Sequence, residues 1–120
     1  MFFGVWKMVS LSVSNKIING KTVIEIFFDI EKNRRVFLWK PTLERNGEKF
    51  GYGDREFIGK HLDKQDNSII LNFNISPEEG DILRFYISFN KFYFWKPSFL
   101  FSNGSWIKYE QKTKRQRRVD

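Results

Sequence analysis

The chain has 120 residues and a mass of 14.5 kDa, which is the size of one domain with one hydrophobic core. It contains 14 Phe, 4 Tyr and 4 Trp but no alanine, a composition that favours β-strands over helices. A helical bundle is therefore excluded, and an all-β domain is predicted. The absence of cysteine excludes a disulfide framework, a Cys-ligated zinc or iron–sulfur site and thiol catalysis.

The formal net charge of +7 is concentrated near the C-terminus. Residues 111–120 hold five Lys or Arg and one Asp, giving +4, while residues 1–110 hold sixteen basic and thirteen acidic side chains, giving +3. Residues 111–120 also lack apolar periodicity. We therefore divide the chain into a single β-sandwich domain over residues 1–110 and an extended or disordered basic C-terminal tail over residues 111–120.

The sequence also predicts where in the cell the protein is found. No apolar run reaches the roughly 20 residues that a membrane-spanning helix needs. Residues 1–9 lack the basic n-region of a signal peptide, and Lys7 interrupts their apolar stretch. We expect no membrane span and a cytoplasmic location.

The first strands are predicted from alternation of apolar and polar residues. Residues 9–14 and 22–30 alternate on either side of Asn19-Gly20, a dipeptide that readily adopts positive φ, so they predict an N-terminal hairpin. Residues 36–40 predict a third strand. We expect it to end at Pro41, because proline lacks the N–H group that a strand ladder needs.

The rest of the domain alternates between loops and further strands. Residues 42–60 carry four glycines and many charges, which predicts a loop with one or two short edge strands around Phe50 and Phe57. Turn residues predict a loop at 76–80 and a hairpin turn at 102–105. The later strands are predicted at residues 69–75, 82–89, 92–95, 99–101 and 106–109.

This series of strands indicates the fold class. Seven to nine strands with a turn about every 8–12 residues are typical of an antiparallel β-sandwich or of a small β-barrel. The uneven strand lengths and the loop-rich middle favour the sandwich. We predict an all-β, immunoglobulin-like antiparallel β-sandwich, although the Cys–Trp–Cys pattern of true immunoglobulin domains is absent, and the small β-barrel is the alternative.

Several short segments follow one another in an order that is similar to a known module. They read Val-Phe-Leu-Trp-Lys-Pro at 36–41, Phe-Ile-Gly-Lys at 57–60, Ser-Pro-Glu-Glu-Gly at 76–80 and Phe-Tyr-Phe at 92–94. Residues 9–95 resemble the β-sandwich module of the propeptides of deuterolysin-type metallopeptidases and of small bacterial proteins of unknown function. The resemblance implies a sandwich and no particular activity. The chain has no peptidase zinc motif, and its basic tail does not belong to that module.

Candidates for catalysis are few, because the chain has one histidine. His61 and Asp63 form a His-x-Asp pair in what we interpret as a charged surface loop. The nearby acids Asp54, Glu56 and Asp66 lie in no helix or strand pattern that would place them beside the pair. A dedicated metal site needs three or four ligands, and no nucleophile-elbow or phosphate-loop motif is present. We predict a non-enzymatic protein without cofactor or metal; an enzyme using His61 and these acids is the least favoured alternative.

Tryptophans that are followed closely by lysines are the main sequence evidence for a binding surface. Trp6, Trp39 and Trp95 each precede a lysine directly, and residues 37–42 and 93–98 repeat an aromatic-x-Trp-Lys-Pro pattern. Strand alternation offers a second interpretation, in which each tryptophan packs in the core and the lysine faces water. Because a small sandwich has little room for twenty-two aromatic rings, we expect an exposed patch. The predicted partner-binding residues are Trp39, Lys40, Phe92, Tyr93, Phe94, Trp95, Lys96, Phe99, Phe101 and Trp106.

The basic tail is the second piece of sequence evidence for binding. It carries five cations, at Lys112, Lys114, Arg115, Arg117 and Arg118. Such an arm pairs with phosphates, with an acidic protein surface or with anionic lipid, or it aids solubility alone. We favour a protein-binding module, either an inhibitor, an immunity or anti-defence protein, or an accessory subunit, that acts through an aromatic, lysine-rimmed surface. The alternative is a nucleic-acid-associated protein whose tail contacts phosphates and whose rings stack on bases. Free strand edges also make a homodimer possible.

Overall fold

The computed structural model describes residues 10–52, 57–90 and 93–109. These residues form ten strands in two antiparallel sheets, and they include no helix that is long and apolar enough to cross a membrane. The strands are β1 (Leu11–Ile18), β2 (Lys21–Phe28), β3 (Arg34–Arg45), β4 (Glu48–Tyr52), β5 (Phe57–Leu62), β6 (Ser68–Leu71), β7 (Ile82–Asn90), β8 (Tyr93–Trp95), β9 (Ser98–Ser102) and β10 (Ser105–Lys108).

The two sheets differ in size. The small sheet has the order β1-β2-β6, and the large sheet has the order β10-β9-β7-β3-β4, with β5 also paired to β3 and β8 also paired to β7. The predicted all-β sandwich is therefore confirmed. The described residues contain ten strands rather than seven to nine, because the glycine-rich middle contributes both of the possible edge strands, β4 and β5.

The core lies between the sheets and consists mainly of alternate residues of the strands. β2 and β7 together supply seven of its eighteen buried hydrophobic residues, and burial of a Leu, Ile or Phe stabilises the fold by about 1.5–3 kcal/mol. Among the fully or almost fully buried side chains are Ile24, Ile26, Phe28, Val36, Leu38, Leu83, Phe85 and Ile87. The indole Nε1 of Trp106 also donates a hydrogen bond to Asn15 Oδ1 at 2.9 Å, which links β10 of the large sheet to β1 of the small sheet.

β3 continues through Pro41 instead of ending there. Opposite Phe85 of β7, β3 carries two residues, Lys40 and Pro41, in place of one, and Lys40 has a φ of +51°. This is a β-bulge, and a bulge tolerates proline because the extra residue leaves the hydrogen-bonded ladder. The prediction that this strand ends before Pro41 is therefore wrong.

The bulge changes which residues of β3 face the core. Before it, Val36 and Leu38 point inward, and after it Leu43 does, so the inward positions switch from even to odd numbers. One extra residue shifts the alternation of a strand by one position. Because Phe37 and Trp39 alternate with Val36 and Leu38, they lie on the outer face of the large sheet.

A buried carboxylate fixes the loop that precedes β7. Asp81 is fully buried, and it accepts hydrogen bonds at 2.8 Å from Arg45 Nε, from Arg45 Nη2 and from the backbone N–H of Glu78. The hydrogen bond with Asp81 is the main reason why the pKa of Arg45 lies above its ordinary value. The backbone of the same loop pairs with β9, where Gly80 N donates to Phe101 O at 2.8 Å. The Arg45–Asp81 pair therefore ties β3, the loop and β9 together.

We expect Asp81→Ala to lower the free energy of unfolding by about 2–3 kcal/mol, because the Arg45 guanidinium and the Glu78 N–H lose their acceptor. Urea denaturation followed by tryptophan fluorescence measures the change. The matched control is Glu78→Ala. That side chain is 64% exposed and lies 3.4 Å from Arg45 Nη1, so its loss costs less than about 1 kcal/mol. Equal losses for both variants would contradict the role given to Asp81.

Candidate functional site

The outer face of the large sheet carries a row of aromatic rings that crosses four neighbouring strands. Phe57 lies on β5, Phe37 and Trp39 on β3, Tyr86 on β7 and Phe94 on β8, and we call these five residues the aromatic row. Trp39 pairs with Phe57 on one side and with Tyr86 on the other. Side chains at directly opposite positions share a face and touch, so the register places the rings side by side.

The rings contact one another closely. Trp39 stacks on Tyr86 with ring centroids 5.5 Å apart and an interplanar angle of 13°, and Phe94 tilts against both rings at 6.0 Å. Phe37 stacks on Phe57 at 5.8 Å. Aromatic pairs of this kind contribute about 0.5–1.5 kcal/mol beyond their buried area. The contacts hold the row in a defined arrangement.

A glycine on β5 makes room for one end of the row. Gly59 pairs with Phe37, and a Cβ atom at Gly59 would lie 3.3 Å from two carbons of the Phe37 ring. The missing side chain therefore allows the Phe37 ring to lie across β5 and to reach Phe57. Glycine within a strand often marks such a close approach.

Two rings of the row are largely open to solvent. Phe57 is 58% exposed and Phe94 is 61% exposed, while Phe37, Trp39 and Tyr86 are half-buried. The other exposed large hydrophobic side chains of the described residues lie on other strands, namely Ile17 on β1, Ile70 on β6 and Ile107 on β10. Single exposed apolar residues are normal, whereas contiguous patches mark interaction sites. We therefore take the aromatic row as the candidate site.

Cations border the row. The guanidinium of Arg35 lies 5.9 Å from the ring centroid of Phe37, and Lys96 Nζ lies 5.1 Å from that of Tyr86. Both distances are within the range of cation–π attraction. Among the described strand residues, one acid, Glu44, has a register that places it on this face, and its carboxylate forms an ion pair with Arg84. Among the described residues, the side chains that border the row therefore carry a net positive charge.

Four of the residues that the sequence pointed to lie at this surface. Trp39 and Phe94 belong to the row, Lys96 borders it, and Lys40 is exposed in the β-bulge. The prediction that a partner binds them stays a prediction. Sequence reasoning missed Phe57, because residues 42–60 were interpreted mainly as loop. Alternation within β3 was the available signal for Phe37, since residues 37 and 39 must share a face.

Four other predicted residues face the core. Phe99 and Trp106 are buried, while Trp95 and Phe101 are half-buried and pack against the core. The register explains this placement, because Trp95 pairs with Ile87, whose side chain is fully buried. The two segments with the repeated tryptophan pattern therefore place their tryptophans on opposite faces of the large sheet. The candidate surface leaves these four residues out.

The remaining predicted residues lie outside what the structure describes. They are Phe92, the side chain of Tyr93 and the tail residues Lys112, Lys114, Arg115, Arg117 and Arg118. Trp6, Asp54 and Glu56 also lie outside the described ranges.

His61 lies on an edge strand rather than in the charged loop that we predicted. It is exposed on β5, where it pairs with Arg35. Asp63 Oδ1 accepts hydrogen bonds at 2.8 Å from the N–H groups of Gln65 and Asp66, and these bonds are the main cause of the lowered pKa of Asp63. The carboxylate therefore holds a turn. Within residues 10–52, 57–90 and 93–109, no group of three or more His, Cys, Asp and Glu residues could hold a metal ion.

Comparisons of the chain with models of known protein families, with curated proteins and with solved structures gave no match. The resemblance to the metallopeptidase propeptide module therefore stays a prediction. Function has to be argued from the surface itself.

If the row serves binding rather than folding, its exposed rings contribute little to stability. We expect Phe57→Ala and Phe94→Ala each to lower the free energy of unfolding by less than about 1.5 kcal/mol, since each ring loses mainly its contacts within the row. Phe85→Ala, a matched change in the core, costs about 3–5 kcal/mol. Urea denaturation of the three variants makes the comparison. Similar losses at all three positions would mean that the row is part of what stabilises the fold.

Proposed function

We propose that the protein is a non-enzymatic protein-binding module whose partner contacts the aromatic row. The observation that carries this proposal is the exposure of Phe57 and Phe94 on the face of a hydrogen-bonded sheet. Aromatic side chains are enriched at the energetic centres of protein interfaces. An inhibitor, an immunity or anti-defence protein and an accessory subunit all use such a surface, either to block a partner or to hold it.

The sheet presents the row in a fixed arrangement. β3, which carries Phe37 and Trp39, is paired along both of its edges, with β7 on one side and with β4 and β5 on the other. Ordering of mobile groups is a main cost of association, so a surface that is already ordered binds more tightly for the same contacts. This favours a role for the row as a ready-made binding site.

The dimensions of the row suit the centre of an interface. Four neighbouring strands span three strand spacings, which is about 14 Å. A typical interface covers about 800 Å² on each partner and has an apolar centre and a polar rim. In the proposed interface, the row forms the centre, and Arg35, Lys96 and the exposed Lys40 belong to the rim.

The arrangement of the rings favours a protein partner over nucleic acid. Stacking of bases needs open ring faces. Tyr86 has Trp39 on the side of β3 and Lys96 on the side of β8, and Phe37 is stacked on Phe57. A neighbouring ring or cation therefore already covers ring faces that a base would need, whereas the apolar side chains of a protein also pack against ring edges.

Photocrosslinking from the row tests the proposal. The photoreactive residue p-benzoylphenylalanine is placed in the full-length chain at position 57 or at position 94, and the variants are irradiated in the cells that make the protein. We expect one discrete adduct of the same partner from both positions, because both rings lie in the proposed interface. Mass spectrometry of the adduct identifies the partner and the crosslinked peptide.

Position 70 supplies the matched control. Ile70 is 41% exposed and lies on β6 of the small sheet between two core residues, so its side chain points away from the core on the opposite side of the sandwich. The same photoreactive residue at position 70 should give no such adduct. An equal yield at all three positions, or no adduct at 57 and 94, would contradict the proposed function.

A further inference from the structure

We infer that two copies of the chain associate through β1, which pairs antiparallel with the β1 strand of a second copy. β1 lies at one edge of the small sheet, whereas the aromatic row lies on the large sheet, so the inference stands apart from the proposed function. The occupant of the edge is a second copy of the chain, because the edge is complementary to itself in its hydrogen bonds, its apolar contacts and its charge.

β1 is the longest edge strand of the described residues. It has eight residues, while the other strands at sheet edges, β4, β5, β6, β8 and β10, have three to six. It contains neither proline nor glycine, and it pairs with β2 at all eight positions without a bulge. Short length, proline, bulges and inward-pointing charges are the features that keep edge strands from pairing with another chain. β1 has none of them.

The hydrogen bonds between β1 and β2 leave alternate backbone groups of β1 without a partner strand. Asp29 N donates to Ser10 O at 3.0 Å, so these two residues form a hydrogen-bonded pair that continues the register of β1 with β2. Such pairs alternate with non-hydrogen-bonded pairs in an antiparallel ladder. The N–H and C=O groups of residues 11, 13, 15 and 17 therefore point to the open edge, where no strand of residues 10–52, 57–90 and 93–109 pairs with them.

One register allows two β1 strands to pair over almost their whole length. When Ser14 lies opposite Ser14 of the partner subunit, residues 11, 13, 15 and 17 lie opposite residues 17, 15, 13 and 11. All four are hydrogen-bonded pairs with two bonds each, so every N–H and C=O group that points to the open edge gains a partner. Main-chain hydrogen bonds of this kind provide the affinity when a strand is added to a sheet edge.

The same register covers an apolar side chain that the fold leaves in water. Ile17 is 70% exposed, although it lies on the same face of β1 as the core residue Val13. The register places Ile17 opposite Leu11 of the partner subunit, and Leu11 is half-buried and packs against the core. Side chains at opposite positions of a strand pair touch. The contact therefore joins the apolar layers of the two copies.

The large sheet leaves this edge accessible. Trp106 of β10 reaches Asn15 with its indole N–H, but β10 and β1 belong to different sheets and their backbones do not pair. Asn15 and Ile17 are both exposed although their side chains are on the inner face of the small sheet. This part of β1 is therefore not covered by the large sheet, and a second strand can approach it.

The charge of β1 permits contact between identical chains. Lys16 is the one charged residue of the strand, and its Nζ atom lies 3.7 Å from Glu25 Oε1. In the proposed register, Lys16 lies opposite Ser12 of the partner subunit. Four residues along the strand and one strand spacing then separate the two copies of Lys16 by about 14 Å. Their repulsion is weak, because the Debye length at physiological ionic strength is about 8 Å.

Pairing of β1 places both aromatic rows on the same side of the dimer. Residues that lie opposite one another in a strand pair share a face of the sheet, so the inner faces of the two small sheets become continuous. The two large sheets then lie on one side, and their outer faces point in the same direction. This consequence rests on the proposed function: a dimer with two rows holds a partner that has two binding sites more tightly than a single chain does.

Disulfide crosslinking of the full-length chain tests the register, because the chain has no cysteine of its own. Ser14→Cys places two thiols at a non-hydrogen-bonded pair with Cα atoms about 4.5 Å apart, a distance that a disulfide spans. We expect a covalent dimer on oxidation with oxidised glutathione. Ser12→Cys is the matched control, since Ser12 is exposed on the same face of β1. Its two copies lie about 14 Å apart and should not crosslink.

Sedimentation equilibrium measures the association without a crosslink. Pairing through one strand gives an interface of the smallest class, so we expect the average mass to rise from 14.5 kDa toward twice that value between about 5 and 500 μM. Ile17→Lys should raise the dissociation constant about tenfold or more, because it replaces the apolar contact with a charge. Ile70→Lys is the matched control. It changes a 41% exposed isoleucine on β6, at the other edge of the small sheet, and should leave the dissociation constant unchanged.

The outcomes distinguish the inference from the proposed function. A mass that stays at 14.5 kDa up to about 500 μM, or equal crosslinking of Ser12→Cys and Ser14→Cys, would overturn the inference. Crosslinking of Ser14→Cys to a different protein in cells, in place of a second copy, would also overturn it. None of these results bears on adducts from positions 57 and 94, on which the proposed function depends. Circular dichroism confirms that each variant is folded.

Discussion

The pairing of β3 with β7, together with the β-bulge within it, decides what each face of the large sheet contains. Each strand sends alternate side chains to opposite faces, so a buried face on one side fixes the residues of the other side as well. Lys40 and Pro41 oppose one residue of β7, and this two-to-one match lets Leu38 and Leu43 both face the core. Without the extra residue, one half of β3 would turn its apolar residues to solvent and its outer residues to the core.

Because of this constraint, the aromatic residues of the chain divide into two groups with different physical roles. Phe28, Phe85 and Phe99 are buried and hold the two sheets together. On the outer face, Phe37 instead contacts Phe57, and Trp39 contacts Tyr86 and Phe94. Phe57 and Phe94 keep most of their surface in water. A composition rich in aromatics therefore supplies both the core and the outer face of the large sheet, and the register of the strands decides to which of them each ring belongs.

Local sequence was sufficient for features that depend on neighbouring residues. The turns at Asn19-Gly20 and Asn103-Gly104 form where they were predicted, and all four residues have positive φ. Features that depend on distant pairing were missed. Pro41 is tolerated because of its match to β7, and Phe57 and Tyr86 lie on either side of Trp39 because both strands pair with β3. Trp39 and Trp95 show the same limit, because similar local sequences reach opposite faces when their partners differ.

The ring contacts within the row link the fold to the proposed function. Trp39 and Lys96 occupy both sides of Tyr86, so this ring is held in place while its edge stays accessible. The same contact fixes an ammonium group at the margin of an apolar patch, where water is easily displaced when a partner binds and where a carboxylate gains most from the pairing. Had Lys96 reached freely into solvent, its charge would speed the encounter and add little to the specificity of the complex. Held against Tyr86, it gives the rim of the proposed interface a cation at a defined position, and Arg35 beside Phe37 gives a second.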